Sequence, residues 1–387
     1  MARYSAAQAA VDVGGTTVTR LALLGHLAEE PDPGVRRTLF HALDPVWRTI
    51  SEHYAAVLAE HPGDWPVDAN AAGVAMDPSS VESSLVAVLE AWRSAYSGEP
   101  EIEPWDWWWR CGATARTLRP ALPLSRLQEV NAVYHAALGA SLVDLGVEFD
   151  LAPSPSKAVA YTGFASRGPG RPVARVVASY TDGGLGELTE LIHETGHALH
   201  VSAVRTPPEF VDWPDSDAFT EAVADILALD TASPRWQRRW LGIGVPADLA
   251  RRDRYAEVML DICWALLEIR LHHDPALDAS AVWADLTSTY LGIVAYPRLP
   301  WWAMRGQLVQ EPGYMVNYAL GPIVAAELRA AIHAERGDWT EGDRGWYAWV
   351  SERLLRFGAA RPAADVVRSV LGRSPRPAAL MACLNGG

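Results

Sequence analysis

The chain has 387 residues, 49% of them hydrophobic, with a formal net charge of −14. Such an acidic surface argues against nucleic acid or an anionic membrane as partner, since both attract basic surfaces, while the apolar share suffices for a large core. Cys111, Cys263 and Cys383 are odd in number and scattered, which leaves no disulfide framework and no paired-cysteine metal site. With no apolar run of about 18 residues and no signal-peptide pattern, a cytoplasmic protein is expected.

Taken in order, residues 11–17 read Val-Asp-Val-Gly-Gly-Thr-Thr, a strand and a glycine turn similar to the phosphate loop of actin-like sugar kinases. That fold needs alternating strands and helices afterwards, whereas 35–61 and 79–97 read as helices with little strand between them, so a plain turn is the better reading. From Glu101 to Arg110 runs the densest part of a chain holding 17 tryptophans. Four indoles at 105–109 cannot all face one core, and a groove wall is expected for some of them. Residues 121–146 follow as an amphipathic helix broken near Gly139 and Gly146.

After Pro153 the pattern turns β-prone over 157–165 and 173–180, with Gly168-Pro169-Gly170 between them, which predicts a hairpin. Its second strand leads through a glycine-rich exit into 187–201, placing a strand edge where an extended peptide can pair with it. Within 187–201, His193, Glu194 and His197 form an HExxH motif. On a helix, positions four apart share a face about 6 Å apart along the axis, so both imidazoles can converge on one zinc ion. Glu194 falls beside them, able to deprotonate a water that the metal activates without being a ligand.

A catalytic zinc usually has three protein ligands and one open position. Past a loop with Pro207, Pro208 and Pro214, the helix-cap candidates Asp215, Ser216 and Asp217 precede an apolar helix in which Glu221 and Asp225 share a face. Glu221 completes a His, His, Glu set, and Asp225 is the acceptor that fixes the tautomer of a ligand histidine. One zinc per chain is expected. Helices follow over 253–272, 281–291, 312–334, 344–357 and 362–371. His272 and His273 end one of them and are left out of the site. Tyr314 and Tyr318 share a helix face, and phenols there could serve as core residues or as donors to an oxyanion.

Together, HETGHALH at 193–200, Glu221 and Asp225 in the next helix, and the paired tyrosines resemble the gluzincin peptidases of the thimet oligopeptidase and oligoendopeptidase F family. Pro104-Trp105-Asp106, the hairpin and its glycine-rich exit extend the likeness over roughly residues 100–380. The resemblance implies a mainly α, bilobal, zincin-like fold, with a small sheet beside the HExxH helix, a groove, and lobes at 1–150 and 151–387. It also implies a zinc metallopeptidase of oligopeptides: His193, His197 and Glu221 on the metal, Glu194 as general base, Tyr314 and Tyr318 against the substrate and its tetrahedral intermediate. Gln307, Leu308 and Val309 stand where that family often has a histidine. Two other activities keep the same ligands: zinc-dependent hydrolysis of a non-peptide amide, and peptide binding without catalysis. An intact Glu194 speaks against the second.

Overall fold

The computed structural model describes all residues except 1–9, 14–15, 61–66, 155–156, 158, 169–170 and 387. Strands β1 (Ala10–Val13) and β2 (Thr16–Thr19) pair antiparallel as a small ribbon. The two glycines between them, on which the phosphate-loop likeness turns, lie outside the described residues. Helices α1 (Arg20–Glu29), α2 (Pro33–Ala42), α3 (Asp44–Glu60) and α4 (Val81–Ala95) come next, so the alternation a kinase fold requires does not follow. The single helix expected over 35–61 is two. Asp32 caps α2 through the N–H groups of Gly34 and Val35, and the helix closes at Leu43. Pro45 has no N–H to donate and so sits in the first turn of α3, where none is needed.

Helix α5 (Leu127–Ala137) is shorter than the stretch expected over 121–146. It ends at Gly139, whose φ of +80° and contact with Arg344, whose carbonyl a Cβ would meet at 2.2 Å, admit no other residue. Beyond it the chain forms β3 (Glu148–Asp150), a strand too short and polar to show a two-residue period. Strands β4 (Tyr161–Ser166) and β5 (Val173–Val177) are the expected hairpin, paired antiparallel with a register shift between Phe164 and Ser166. Because β3 pairs parallel with β5, the order is β3-β5-β4. The edge beside the HExxH helix that is unpaired among the described residues is therefore that of β4, not of the second hairpin strand as the sequence suggests.

The long helices then stack side by side, out of chain order. Helix α6 (Gly184–Ala203) lies on β4 and β5 with one side and on α7 (Asp217–Ala228) with the other; α7 packs on α10 (Met315–Arg336), and α10 on α8 (Ala247–His273), which is flanked by α9 (Ala279–Leu291). Ser216 caps α7 through the Phe219 N–H. The approach of α6 to α7 is set by Gly196, where an added Cβ would lie 2.7 Å from the Ala224 carbonyl oxygen. The molecule is mainly helical with a small three-stranded sheet, as expected. One buried apolar cluster runs from Leu23 to Leu384, across position 150. Among the described residues no helix is long and apolar enough to cross a membrane.

Candidate metal centre and its cleft

Helix α6 is held between sheet and α7 by an apolar face that includes Leu188, Leu191, Ile192 and Leu199, all buried. Its remaining stripe presents His193 and His197, one turn apart, with ring centroids 4.8 Å apart and nearly perpendicular. From α7, Glu221 reaches both: its carboxylate lies 3.3 Å from His193 Nε2 and 3.9 Å from His197 Nε2. One donor atom from each residue lies within 4.8 Å of the others. Ligands about 2.0–2.2 Å from a tetrahedral zinc stand roughly 3.3–3.6 Å apart, so this donor set fits zinc after a small contraction. Among the described residues it is the only group of three such side chains that could hold a metal.

The surroundings support that fit. Asp225 Oδ1 lies 3.0 Å from His193 Nδ1, which places the proton on Nδ1 and leaves the Nε2 lone pair for a metal. Arg254 in turn lies 3.4 Å from the same oxygen. Burial raises the cost of charge on Asp225, but His193 and Arg254 outweigh it and bring the carboxyl to about 2. The same balance acts on His193. Its burial alone would lower it, yet Asp225 and Glu221 hold it well above the ordinary imidazole range. Burial, then the nearby charge on His193, lowers His197 to about 4, so this imidazole is neutral and its lone pair is available. A cation at this site would therefore displace the proton that His193 Nε2 turns toward Glu221, while Nδ1 keeps its proton toward Asp225.

Glu194 is 7% exposed and stands outside that donor set. One carboxylate oxygen accepts a hydrogen bond from Thr162 Oγ1, at 2.7 Å, and burial pushes its pKa up. The three donors and Glu194 line a cavity of about 580 Å³ together with Tyr318 and Arg305. A second cavity, of about 750 Å³, shares Glu190, His193, Asp225 and Glu257 with the first, so open space continues from the candidate ligands toward the N-terminal end of α6.

Tyr318 lies on this wall with its ring 5.1 Å from that of Tyr314, edge to face. Burial and the Glu221 carboxylate push the Tyr318 phenol up to about 12, and raise Tyr314 as well. Both are hydrogen-bond donors at neutral pH. The backbone around Tyr314 is fixed from a distance: fully buried Glu268 accepts the N–H groups of Gly313 at 2.9 Å and Met315 at 3.1 Å.

Sequence reasoning missed Arg305, Asp261 and Thr162, which no motif marks. Arg305 donates to Asp261 at 2.5 Å and lies over the Trp264 ring. The tryptophan-rich segment corrects an expectation, since none of the indoles at 105–109 lines the cleft beside the candidate metal ligands. Trp105 and Trp107 are buried, Trp105 against Phe40, and Trp108 meets Trp301 edge-on. Trp109 is covered by the Arg116 guanidinium at 3.6 Å. The cluster is core with a cation–π lid, because Phe40, Trp47, Trp283 and Trp301 supply an aromatic layer that absorbs it. His272 and His273 line neither cavity.

The fold is similar to that of solved metallopeptidases. Trypanosoma cruzi metallocarboxypeptidase 1 matches with a TM-score of 0.59 and 17% identity, over 93% of this chain and 77% of that one. An M32 carboxypeptidase from Deinococcus radiodurans matches with a TM-score of 0.61 and 15% identity, over 94% and 78%. At these identities the likeness is one of fold, that of a helical zincin-like peptidase. Both neighbours are carboxypeptidases, so the narrower likeness to the oligopeptidase family is not what they carry. No protein-family model and no curated protein sequence matches the chain.

Proposed function

We propose that the protein is a zinc-dependent peptidase acting on short peptides. The observation that supports this most is the convergence of His193, His197 and Glu221 from two helices, with a buried carboxylate, Glu194, beside the donors but outside their set. Zinc bound there would supply Lewis-acid polarisation of a carbonyl and lower the pKa of water. The chain's own residues do the rest. Glu194 takes the proton of the attacking water and returns it to the leaving nitrogen; its burial raises its pKa and strengthens it as a base. Tyr318, protonated and on the cleft wall, donates to the oxygen on which negative charge develops, with Tyr314 packed against it. The free edge of β4 offers main-chain groups to an extended substrate.

Arg305 favours removal of a C-terminal residue over internal cleavage, as the names of the two structural neighbours also suggest. Among the described residues it is the one Lys or Arg lining the cavity with the candidate metal ligands, and a guanidinium is the partner a substrate carboxylate would use. Incubation of zinc-loaded protein with matched peptides bearing free or amidated C-termini, read by mass spectrometry, tests both levels. Trimming of the free forms alone is the expected result. Internal products would replace the exopeptidase reading with an endopeptidase one, and intact peptides throughout would reject peptidase function.

A further inference from the structure

Strand β4 contributes one side chain to the catalytic carboxylate. Thr162 pairs with Val176 of β5 on one side of the strand, while the opposite edge is unpaired among the described residues. Its hydroxyl lies 2.7 Å from Glu194 Oε2 and 2.9 Å from the Glu194 main-chain oxygen. A threonine hydroxyl has one proton for these two acceptors. The main-chain oxygen sits inside α6 and has a helical N–H to accept, whereas among the described residues the carboxylate oxygen facing β4 accepts from Thr162 alone. A hydrogen bond to an ionised acceptor is also the stronger of the two.

We propose that Thr162 is a positioning residue for Glu194: its hydroxyl holds one carboxylate oxygen against the strand and so leaves the other, Oε1, turned to the cleft to receive a proton. The inference rests on Glu194 being the general base. Without the contact, a glutamate side chain has three torsions to distribute among staggered wells, and only some of them direct an oxygen to the reacting water. The arrangement has a second consequence. Val159, Ala160, Tyr161 and Thr162 all line the cleft, so a peptide added to the β4 edge lies on the strand that orients the base. Substrate register and base direction are then set by one segment.

The test uses zinc-loaded Thr162→Val, which keeps the shape and removes the hydroxyl, and Thr162→Ser, which keeps the hydroxyl. Valine should lower kcat by about 10- to 100-fold with KM and zinc content unchanged, the range typical of residues that orient a catalytic group from behind. Serine should recover activity to within a few-fold of the parent. Crystal structures should show Glu194 in one rotamer in the parent and the serine variant, and displaced or divided between rotamers in the valine variant. Parental kcat in the valine variant, serine as slow as valine, or an unmoved Glu194 would each overturn the proposal. Glu194→Gln separates this from failure of the underlying reading. If it is as active as the parent, Glu194 is not the base; if it is inactive while Thr162→Val is normal, only the role of Thr162 falls.

Discussion

Gly196→Ala puts the geometry of the candidate metal centre to the most direct test. The substitution adds one methyl group between the two helices that carry the ligands. By itself, alanine in a helix interior is favoured over glycine by about 0.5–1 kcal/mol. The structure opposes this gain, because the new Cβ would lie 2.7 Å from the Ala224 carbonyl oxygen and 2.8 Å from Ala224 Cα. Those are backbone atoms and cannot rotate away, so α6 and α7 must separate by roughly 0.7 Å to restore ordinary contact. Overpacking of this kind costs about 1–3 kcal/mol, which exceeds the propensity gain. Gly196 lies next to His197 and three residues from His193, and Glu221 lies one turn from Ala224, so the displacement falls on the donors themselves. Metal–ligand distances tolerate about 0.2 Å. Zinc affinity, measured by chelator competition, should fall by about 10-fold or more, and the zinc-free chain should lose roughly 1–2 kcal/mol. Gly186→Ala is the control: the site is in the same helix with nothing within 4 Å of the new Cβ, and should be neutral or slightly stabilising. Parental zinc affinity in Gly196→Ala would refute the claim that this contact sets the spacing of the ligands.

Three further outcomes are expected. Glu221→Ala should leave a weak or empty zinc site, whereas Asp225→Ala should cost only about 10- to 100-fold in affinity because His193 keeps its Nε2 but loses its orientation; equal affinities in a chelator titration would mean the two roles are misassigned. Tyr318→Phe should lower kcat and kcat/KM together by about 10²- to 10³-fold, and Tyr314→Phe less, since only Tyr318 lines the cleft; unchanged kcat in both, with unchanged zinc content, would remove the phenols from the chemistry. Glu268 gives a pH dependence. Burial pushes it to about 8 from 4.5, so the folded chain binds more protons than the unfolded one in that window, and the contribution is full below 4.5 and lost as pH rises through 8. Relative to Glu268→Gln, the metal-free parent should therefore lose a few kcal/mol of stability between pH 4.5 and 8 in urea melts, and parallel curves would show that the carboxyl does not titrate there.

What was legible in the sequence was local. His193 and His197 were found because four residues make one helical turn, and the helix start at 215–217, where the structure makes Ser216 the cap, because short polar side chains before an apolar run are what a helix start needs. The boundaries that failed were set by distant groups. Helix α5 stops where Gly139 meets the Arg344 carbonyl, two hundred residues away in the chain, and β3 is a strand only because β5 supplies its partner. The misread tryptophans are of the same kind. Four indoles in five positions do exceed what one helix face can bury, but Phe40 and Trp301 arrive from other segments against Trp105 and Trp108, and Arg116 covers Trp109.

The site divides along the same line, and the division has a physical cause. Groups that bind a metal must be few, close and of particular types, so their spacing leaves a trace in the sequence. Groups that hold those residues in place need only a hydrogen-bonding atom at the right point in space, and any segment can bring it there. Thr162 reaches Glu194 across 32 positions and Glu268 reaches Gly313 and Met315 across 45 and 47. Helix α10 makes the point most clearly. Its start lacks any capping side chain of its own, which in a sequence looks like a weak helix beginning. Buried Glu268 instead accepts the N–H of Met315, the first helical residue, and that of Gly313 just before the helix, one on each side of Tyr314. The backbone that carries both tyrosines is thereby anchored to α8, which also bears Asp261, the partner of Arg305. The cleft wall opposite α6 is thus fixed by two carboxylates from one helix, and neither lies in a motif.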